Sequence, residues 1–342
     1  MENINTGNIL ESLCNDAAGN STGFDDYKTT FTATELLTLK LTAIPCLFGN
    51  IIPSSGIWTM VGSSDTGKSM LLRQLAIATA KGQPFLNWPN YAQHKKVIFI
   101  STEDDATSTS YLLGRQTQDT GGMDNIRFFF ETTDIPEYLV AQLNAQPADL
   151  VIIDAWSDVF GKDLKDSALI RKTLNVYKAI AAKYLCSIGF LHHTGKRTER
   201  LEPSKNNILS GQGFEAAMRL VIELRADAVT NSLRHLCVVK GNYLGDEFKR
   251  SSYVLHFNAD NFLFSDTGER TPFEQLGASA APAAGEQKKK SIRFEDMEDG
   301  MHRQLLTKAF ENDAAVGYAG LVNALAKVYN NSTGESYGRD KA

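Results

Sequence analysis

The sequence predicts an α/β protein with a mainly parallel central sheet, and three observations carry that expectation. Short apolar runs recur along the first two thirds of the chain, and helical-looking stretches separate the early ones. A glycine-rich loop joins one such run to such a stretch, the local arrangement of a strand, a turn and a helix. Of the 342 residues, 42% are hydrophobic and 22% charged, a globular composition that excludes wholesale disorder.

Residues 1–30 are rich in Asn, Gly, Ser, Thr and Asp and read as a flexible tail, because few aliphatic side chains are there to offset the entropy of ordering. The expected main domain spans 31–275. It opens with a short helix at Thr34 to Leu39 and a turn at Pro53-Ser54-Ser55-Gly56. Apolar runs at Ile57 to Val61, Val97 to Ile100, Leu150 to Ile153, Ser187 to Leu191 and Leu220 to Leu224 read as buried strands. Helices are expected at Ser69 to Lys81, Ala106 to Gln118 and Ser167 to Tyr184. Two later runs, Leu236 to Lys240 and Ser252 to Phe257, flank the turn-forming segment Gly241 to Asp246 and read as a hairpin closing the sheet edge. Residues 276–290 form an Ala- and Lys-rich linker. Beyond it, 291–342 reads as a small helical module with Leu305, Leu306, Phe310, Leu321, Leu325 and Val328 as its core. Tyr318 to Tyr329 and the polar turn after it look like the first part of a helix-turn-helix, so the module reads as a protein-contact or degenerate DNA-binding appendage.

The net charge of −5 excludes a broad basic field that would coat nucleic acid, while leaving room for a local basic groove. No apolar run approaches the 18 or so residues that cross a bilayer, and the N-terminus lacks a signal-peptide pattern, so a cytoplasmic location without membrane contact is expected. Cys14, Cys46, Cys186 and Cys237 are too dispersed for a metal clip and read as thiols, two of them inside apolar runs.

The strongest chemical signal is Gly62-Ser63-Ser64-Asp65-Thr66-Gly67-Lys68-Ser69, a full match to the phosphate-loop pattern between a predicted strand and a predicted helix. Its backbone N–H groups and the helix N-terminus suit phosphate oxygens; Lys68 offsets β- and γ-phosphate charge, and the Ser69 hydroxyl ligates Mg²⁺. Asp154, directly after the strand Leu150 to Ile153, is placed to hold Mg²⁺ through water, a helix N-cap being the plain alternative. Glu103 follows the strand expected to flank the phosphate-loop strand and is the candidate base for the attacking water, facing the γ-phosphate from the side opposite Asp154; an ordinary acidic strand end is the alternative. Asp104 and Asp105 read as solvated or capping residues. His192 and His193 end the strand Ser187 to Leu191 at the same sheet edge. A His there, His193 in the catalytic assignment, can sense the γ-phosphate, against a structural His or a zinc ligand. The following polar loop, Arg197 to Asn207, offers Arg197, Arg200 and Lys205 as DNA phosphate contacts or is simply solvated.

Taken in order, Gly62 to Ser69, Gly82 to Leu86, Ile98 to Asp105 with Arg115 downstream, Leu150 to Asp154 and Cys186 to Lys196 resemble the RepA-type hexameric helicases, a plasmid-replication branch of the RecA/DnaB-like ATPases. Val238 to Gly245 looks like the late strand and turn of that family. The resemblance covers roughly residues 40–265. It implies a RecA-like core, ATP with Mg²⁺, Glu103 as the base, Arg115 at the nucleotide, and a homo-oligomeric, hexameric ring with ATP sites between subunits. Single-stranded DNA and replication-initiation proteins are the implied partners. One departure stands out: where the family tends to carry a trans-acting arginine, this chain reads Leu209-Ser210-Gly211-Gln212-Gly213. Lys240, Arg219 and Arg225 are the candidate replacements, and a RecA/KaiC-like ATP-gated switch without unwinding is the alternative to a motor.

Overall fold

The computed structural model describes residues 30–277 except 162–165, 196–197, 199–200 and 210, and beyond them only Arg303 and Thr307. The chain divides into Met1–Ala280 and Ala281–Ala342. The expected tail, linker and C-terminal module, with Cys14, Arg197 and Arg200, therefore lie outside the described residues, apart from a few positions at their margins.

Helix α1 (Ala33–Thr38) opens with a capping box, in which Thr32 and Glu35 satisfy each other's backbone N–H groups. A small antiparallel pair, β1 (Cys46–Phe48) and β2 (Ile52–Pro53), follows. The main succession then runs β3 (Gly56–Gly62), α2 (Lys68–Lys81), β4 (Val97–Ser101), α3 (Ala106–Gln116), β5 (Ile126–Phe129), α4 (Ile135–Ala145), β6 (Leu150–Asp154), α5 (Trp156–Phe160), α6 (Ser167–Lys183), β7 (Ser187–His193), α7 (Gly211–Ala217), β8 (Leu220–Ala226), β9 (Leu233–Gly241), β10 (Ser251–Asn258) and β11 (Leu263–Pro272). Among the described residues the sheet has nine strands in the order β11-β10-β9-β8-β3-β7-β6-β4-β5. The six from β8 to β5 are parallel, and β9, β10 and β11 add on antiparallel.

Alternation along β3 explains why both sheet faces are covered. Trp58 and Met60 pack with Leu71, Leu72 and Leu75 of α2, whereas Ile57 and Val61 join Leu139 and Leu143 of α4 and Ile170, Leu174 and Tyr177 of α6. The α6 spacing of four then three residues is one helical stripe facing the sheet.

Three features depart from the sequence reading. First, β4 does not flank the phosphate-loop strand: β3 lies between β7 and β8, and β4 is separated from it by β7 and β6. Glu103 and Asp154 consequently lie on the same side of β3, on neighbouring strands, not on opposite sides. Second, β9 and β10 do pair as a hairpin, but β11 lies outside them and forms the edge. Polar and half-exposed, β11 has no apolar run to announce it. Third, β5 and α4 fill the stretch between α3 and β6. Pro136 sits in the first turn of α4, where its missing N–H is harmless.

Gly189 on central β7 is opposite Trp58, whose indole N–H donates to Ser187 Oγ at 2.9 Å. A Cβ at position 189 would collide with the indole ring. Gly189→Ala is therefore expected to cost about 1–3 kcal/mol of stability, read as a lower urea midpoint; an unchanged midpoint would mean that the indole is free to move.

Candidate nucleotide site

The site grows from the carboxyl edge of the parallel strands, where β3 gives way to residues 62–67 and α2 begins. Gly67 adopts φ +91°, and a Cβ there would meet the Phe264 ring at 2.7 Å, so the turn needs glycine for both its dihedral and its close packing. Thr66 Oγ1 donates to the Ser63 carbonyl at 3.0 Å, and Lys68 Nζ reaches the same carbonyl at 2.6 Å. Arg234 Nε holds the Thr66 carbonyl at 3.1 Å. Ser64 and Asp65 are exposed at the tip, whereas Thr66 and Lys68 are buried. Burial lowers the Lys68 pKa, and the nearby Asp154, Glu103 and Asp65 carboxylates pull it back up.

Asp154 ends β6 in register with Ser101 of β4. Burial pushes its pKa up to about 7, opposed by a hydrogen bond from Ser69. Its Oδ1 is buried without a protein hydrogen-bond partner. An orphaned carboxylate oxygen beside the Ser69 hydroxyl is a hard-oxygen donor set of the kind that Mg²⁺ takes with its own waters, so the residues present fit that ion. The segment after β4 is tied to this strand end: Thr102 N donates to the Asp154 carbonyl at 2.7 Å, and the Thr102 hydroxyl accepts from Ala155 N at 2.9 Å. The same hydroxyl lies 2.7 Å from the Asp158 carboxylate.

Glu103 and His193 meet across the edge, with His193 Nε2 3.7 Å from Glu103 Oε1. Burial and Lys68 lower the His193 pKa, opposed by Glu103, which favours a neutral ring that can donate or accept one hydrogen bond. His192 is buried, and burial takes its pKa down to about 3; it packs against Phe214 with ring centroids 4.9 Å apart. His192 thus lies in the core and His193 at the edge. Among the described residues no cluster of three His, Cys, Asp or Glu side chains could hold a metal ion, which leaves zinc without a site there.

Other expected residues lie elsewhere. Arg115 stacks over Phe262, 5.6 Å from the ring centroid, and hydrogen-bonds the Asp260 carbonyl, so its guanidinium is engaged by the turn between β10 and β11 and not by the phosphate loop. Arg225 is buried in an ion pair with Glu223 at 2.7 Å and also binds the Thr198 and Leu276 carbonyls, so it offers no free guanidinium to a neighbour. Lys240 pairs with Glu215 at 2.9 Å, and Arg219 donates to the Ser55 carbonyl at 2.9 Å. Both lie towards the amino edge of the parallel strands, away from their own phosphate loop. Lys205 is exposed, 3.7 Å from Glu215. Asp105 caps α3 by accepting from Ser108 N at 2.7 Å, as a capping reading requires, whereas Asp104 is half-buried and, in place of a cap, pairs with buried Arg73 at 3.0 Å. Sequence reasoning missed Arg73, Thr102 and Arg234; only Arg73 leaves a signal, a cation inside the apolar stretch Met70 to Leu75.

The raised Asp154 pKa has a thermodynamic consequence. The folded chain holds a proton that the unfolded chain releases between pH 3.8 and about 7, so stability from this group is full below that window and lost as pH rises through it. Without Mg²⁺ or nucleotide, Asp154→Asn is expected to raise the unfolding midpoint progressively from pH 4 to pH 8. Equal stabilisation at both ends would contradict the assignment.

Comparison with known proteins adds the family. A family model described as an AAA domain (AAA_25) matches residues 26–199, just over half of the chain. No match is found among curated proteins. Among solved structures, the chain is similar to one titled as an ATPase domain, with 12% identity over 68% of this chain and 95% of that one and a TM-score of 0.49. It is also similar to the KaiC-like protein PH0186 from Pyrococcus horikoshii OT3, with 14% identity over 64% and 93% and a TM-score of 0.47. With a RecA-like α/β core and a phosphate loop between β3 and α2, the chain belongs to the AAA domain family of P-loop ATPases.

Proposed function

We propose that this chain is an ATP-hydrolysing motor acting on single-stranded DNA, as a homo-oligomeric, hexameric ring of the RepA helicase type. The observation that carries the hydrolytic half is the convergence of Lys68, Ser69, Asp154, Glu103 and His193 on one edge of the sheet. In this reading the phosphate loop and Lys68 bind the triphosphate, Ser69 and Asp154 hold Mg²⁺ (the latter through water), and Mg²⁺ supplies charge neutralisation on the transferred phosphoryl group. Glu103 takes the proton from the attacking water, and neutral His193 beside it hydrogen-bonds the γ-phosphate.

The link from phosphate to DNA runs through β7. His193 is its last residue, and the segment after it is pinned at both ends: Leu209 N donates to the His193 carbonyl at 3.1 Å, and Gly195 N to the Asn207 carbonyl at 3.0 Å. A shift at His193 therefore reaches the polar loop that carries Arg197, Arg200 and Lys205, the proposed strand contacts. Among the described residues no helix is long and apolar enough to cross a membrane. Replication-initiation proteins are the proposed further partners.

A second reading has its own support. With no arginine at 209–213 and Arg225 held within its own chain, the remaining trans candidates are Lys240 and Arg219. Should neither act in trans, hydrolysis is weak, which suits an ATP-gated DNA-binding switch.

Lys68→Ala is expected to abolish ATP binding, while Glu103→Gln keeps ATP and loses turnover by about 10²–10⁴-fold. Wild-type affinity in the first variant, or equal loss of binding and turnover in the second, would contradict these roles. DNA-stimulated turnover with strand displacement supports the motor; ATP-dependent retention of DNA without displacement would replace it with the switch.

A further inference from the structure

We infer that Arg73 is a positioning residue for hydrolysis, holding the Glu103 segment at the phosphate edge through Asp104 and coupling it to the phosphate-loop helix. The inference rests on the ATPase reading of the site.

Arg73 follows Ser69 by four residues, so the two occupy one face of α2, one turn apart. Ser69 bonds Asp154, and Arg73 one turn later meets Asp104 and feels the Asp154 charge. The same helix face thus touches the ends of both acidic strands. The Arg73 side chain is only 1% exposed, yet its one carboxylate bond is Nη2 to Asp104 Oδ2 at 3.0 Å. Nε and Nη1 are buried with no hydrogen-bond partner. A buried guanidinium satisfied this sparsely is a poor source of stability, and an apolar side chain among Leu71, Leu72 and Leu75 would cost less. What Arg73 reaches supplies a different reason for it.

Asp104 adjoins Glu103, whose own side chain is half-exposed and lies 3.7 Å from His193. The direction of Glu103 is therefore set by its backbone, and that backbone is fastened on both sides. Thr102 N donates to the Asp154 carbonyl at 2.7 Å, Ser101 Oγ donates to the Asp104 carbonyl at 3.0 Å, Asp105 caps α3, and Arg73 holds the Asp104 carboxylate. Of these four residues, Arg73 is the one that belongs to the helix whose N-terminus is the phosphate loop. A displacement of α2 on phosphate binding is delivered to Glu103 through this bond.

The test is a double-mutant cycle with Arg73→Met, Arg73→Lys and Glu103→Gln, reading nucleotide affinity, kcat and single-turnover rates. Arg73→Met is expected to keep the ATP dissociation constant within about threefold and lower kcat by about 10–100-fold, with Arg73→Lys recovering part of it. In the Glu103→Gln background, Arg73→Met is expected to change the single-turnover rate by less than about twofold, because it acts through a base already removed. Equal factors in both backgrounds, or wild-type kcat in Arg73→Met, would overturn the inference. If Arg73→Met fails to fold, Arg73→Met/Asp104→Leu supplies an apolar pair; restored Tm with low kcat supports positioning, and restored Tm with wild-type kcat overturns it. Absence of turnover in the wild type overturns the ATPase reading as well, whereas normal wild-type turnover with an indifferent Arg73 overturns this inference alone.

Discussion

Burial of unlike charges at the carboxyl edge of a parallel sheet is the constraint from which the site follows. Lys68, Arg73 and Asp154 are all taken largely out of water, and burial is the leading cause of each shift: both cations are pushed down and the carboxylate is pushed up to about 7. Each charge is upheld by a close partner: Lys68 chiefly by Asp154, Arg73 by Asp104, and Asp154 by the Ser69 hydroxyl. A hydrated cation with a polyphosphate would bring to this edge the charges and oxygens that its groups lack, which is how a protein can store binding energy in a desolvated, preorganised cluster. The sheet makes the cluster possible. With both faces covered, only the strand ends are open to a ligand, and register sets Asp154 beside Ser101 and Gly62 beside His193.

The antiparallel strands contribute more than extra width. Arg234 of β9 holds the Thr66 carbonyl, and Phe264 of β11 fills the space beside Gly67. The Gln74 amide exchanges both its bonds with the Phe264 backbone at 2.8 Å each, so α2 is laced to β11 much as a strand would be. Phosphate loop and late hairpins form one mechanical unit, and Arg115 extends it by gripping the turn between β10 and β11. Arg115 thereby acts as a brace in this structure, whatever a family pattern implies for its counterpart.

Local chemistry is legible in the sequence where it is governed by local rules. The apolar runs of β3, β4, β6, β7 and β8 are strands because buried parallel strands must be apolar on both sides, and the loop from Gly62 is readable because phosphate binding needs that spacing. Strand order is a different kind of information. Nothing in Val97 to Ile100 says that β7 and β6 will lie between it and β3, because parallel neighbours are chosen by crossovers and packing rather than by adjacent residues. Glu103 is therefore legible by its place after a strand, while its side of the site is not. Edge strand β11 is hidden for the opposite reason: half-exposed, it carries Asp266, Gly268, Glu269 and Arg270 where a central strand carries aliphatics. Arg73 is visible as a misfit in an apolar helix, but its partner Asp104 lies 31 positions away.

A single nucleotide site assembled from β3, β4, β6 and β7, working in a ring on DNA, is tested most directly by electron microscopy of the full chain with Mg²⁺, a non-hydrolysable ATP analogue and single-stranded DNA. Closed rings are expected, with nucleotide density over residues 62–69, Lys68 released from the Ser63 carbonyl, and Glu103 and His193 facing the terminal phosphate. Monomers, or nucleotide bound away from that edge, would contradict it.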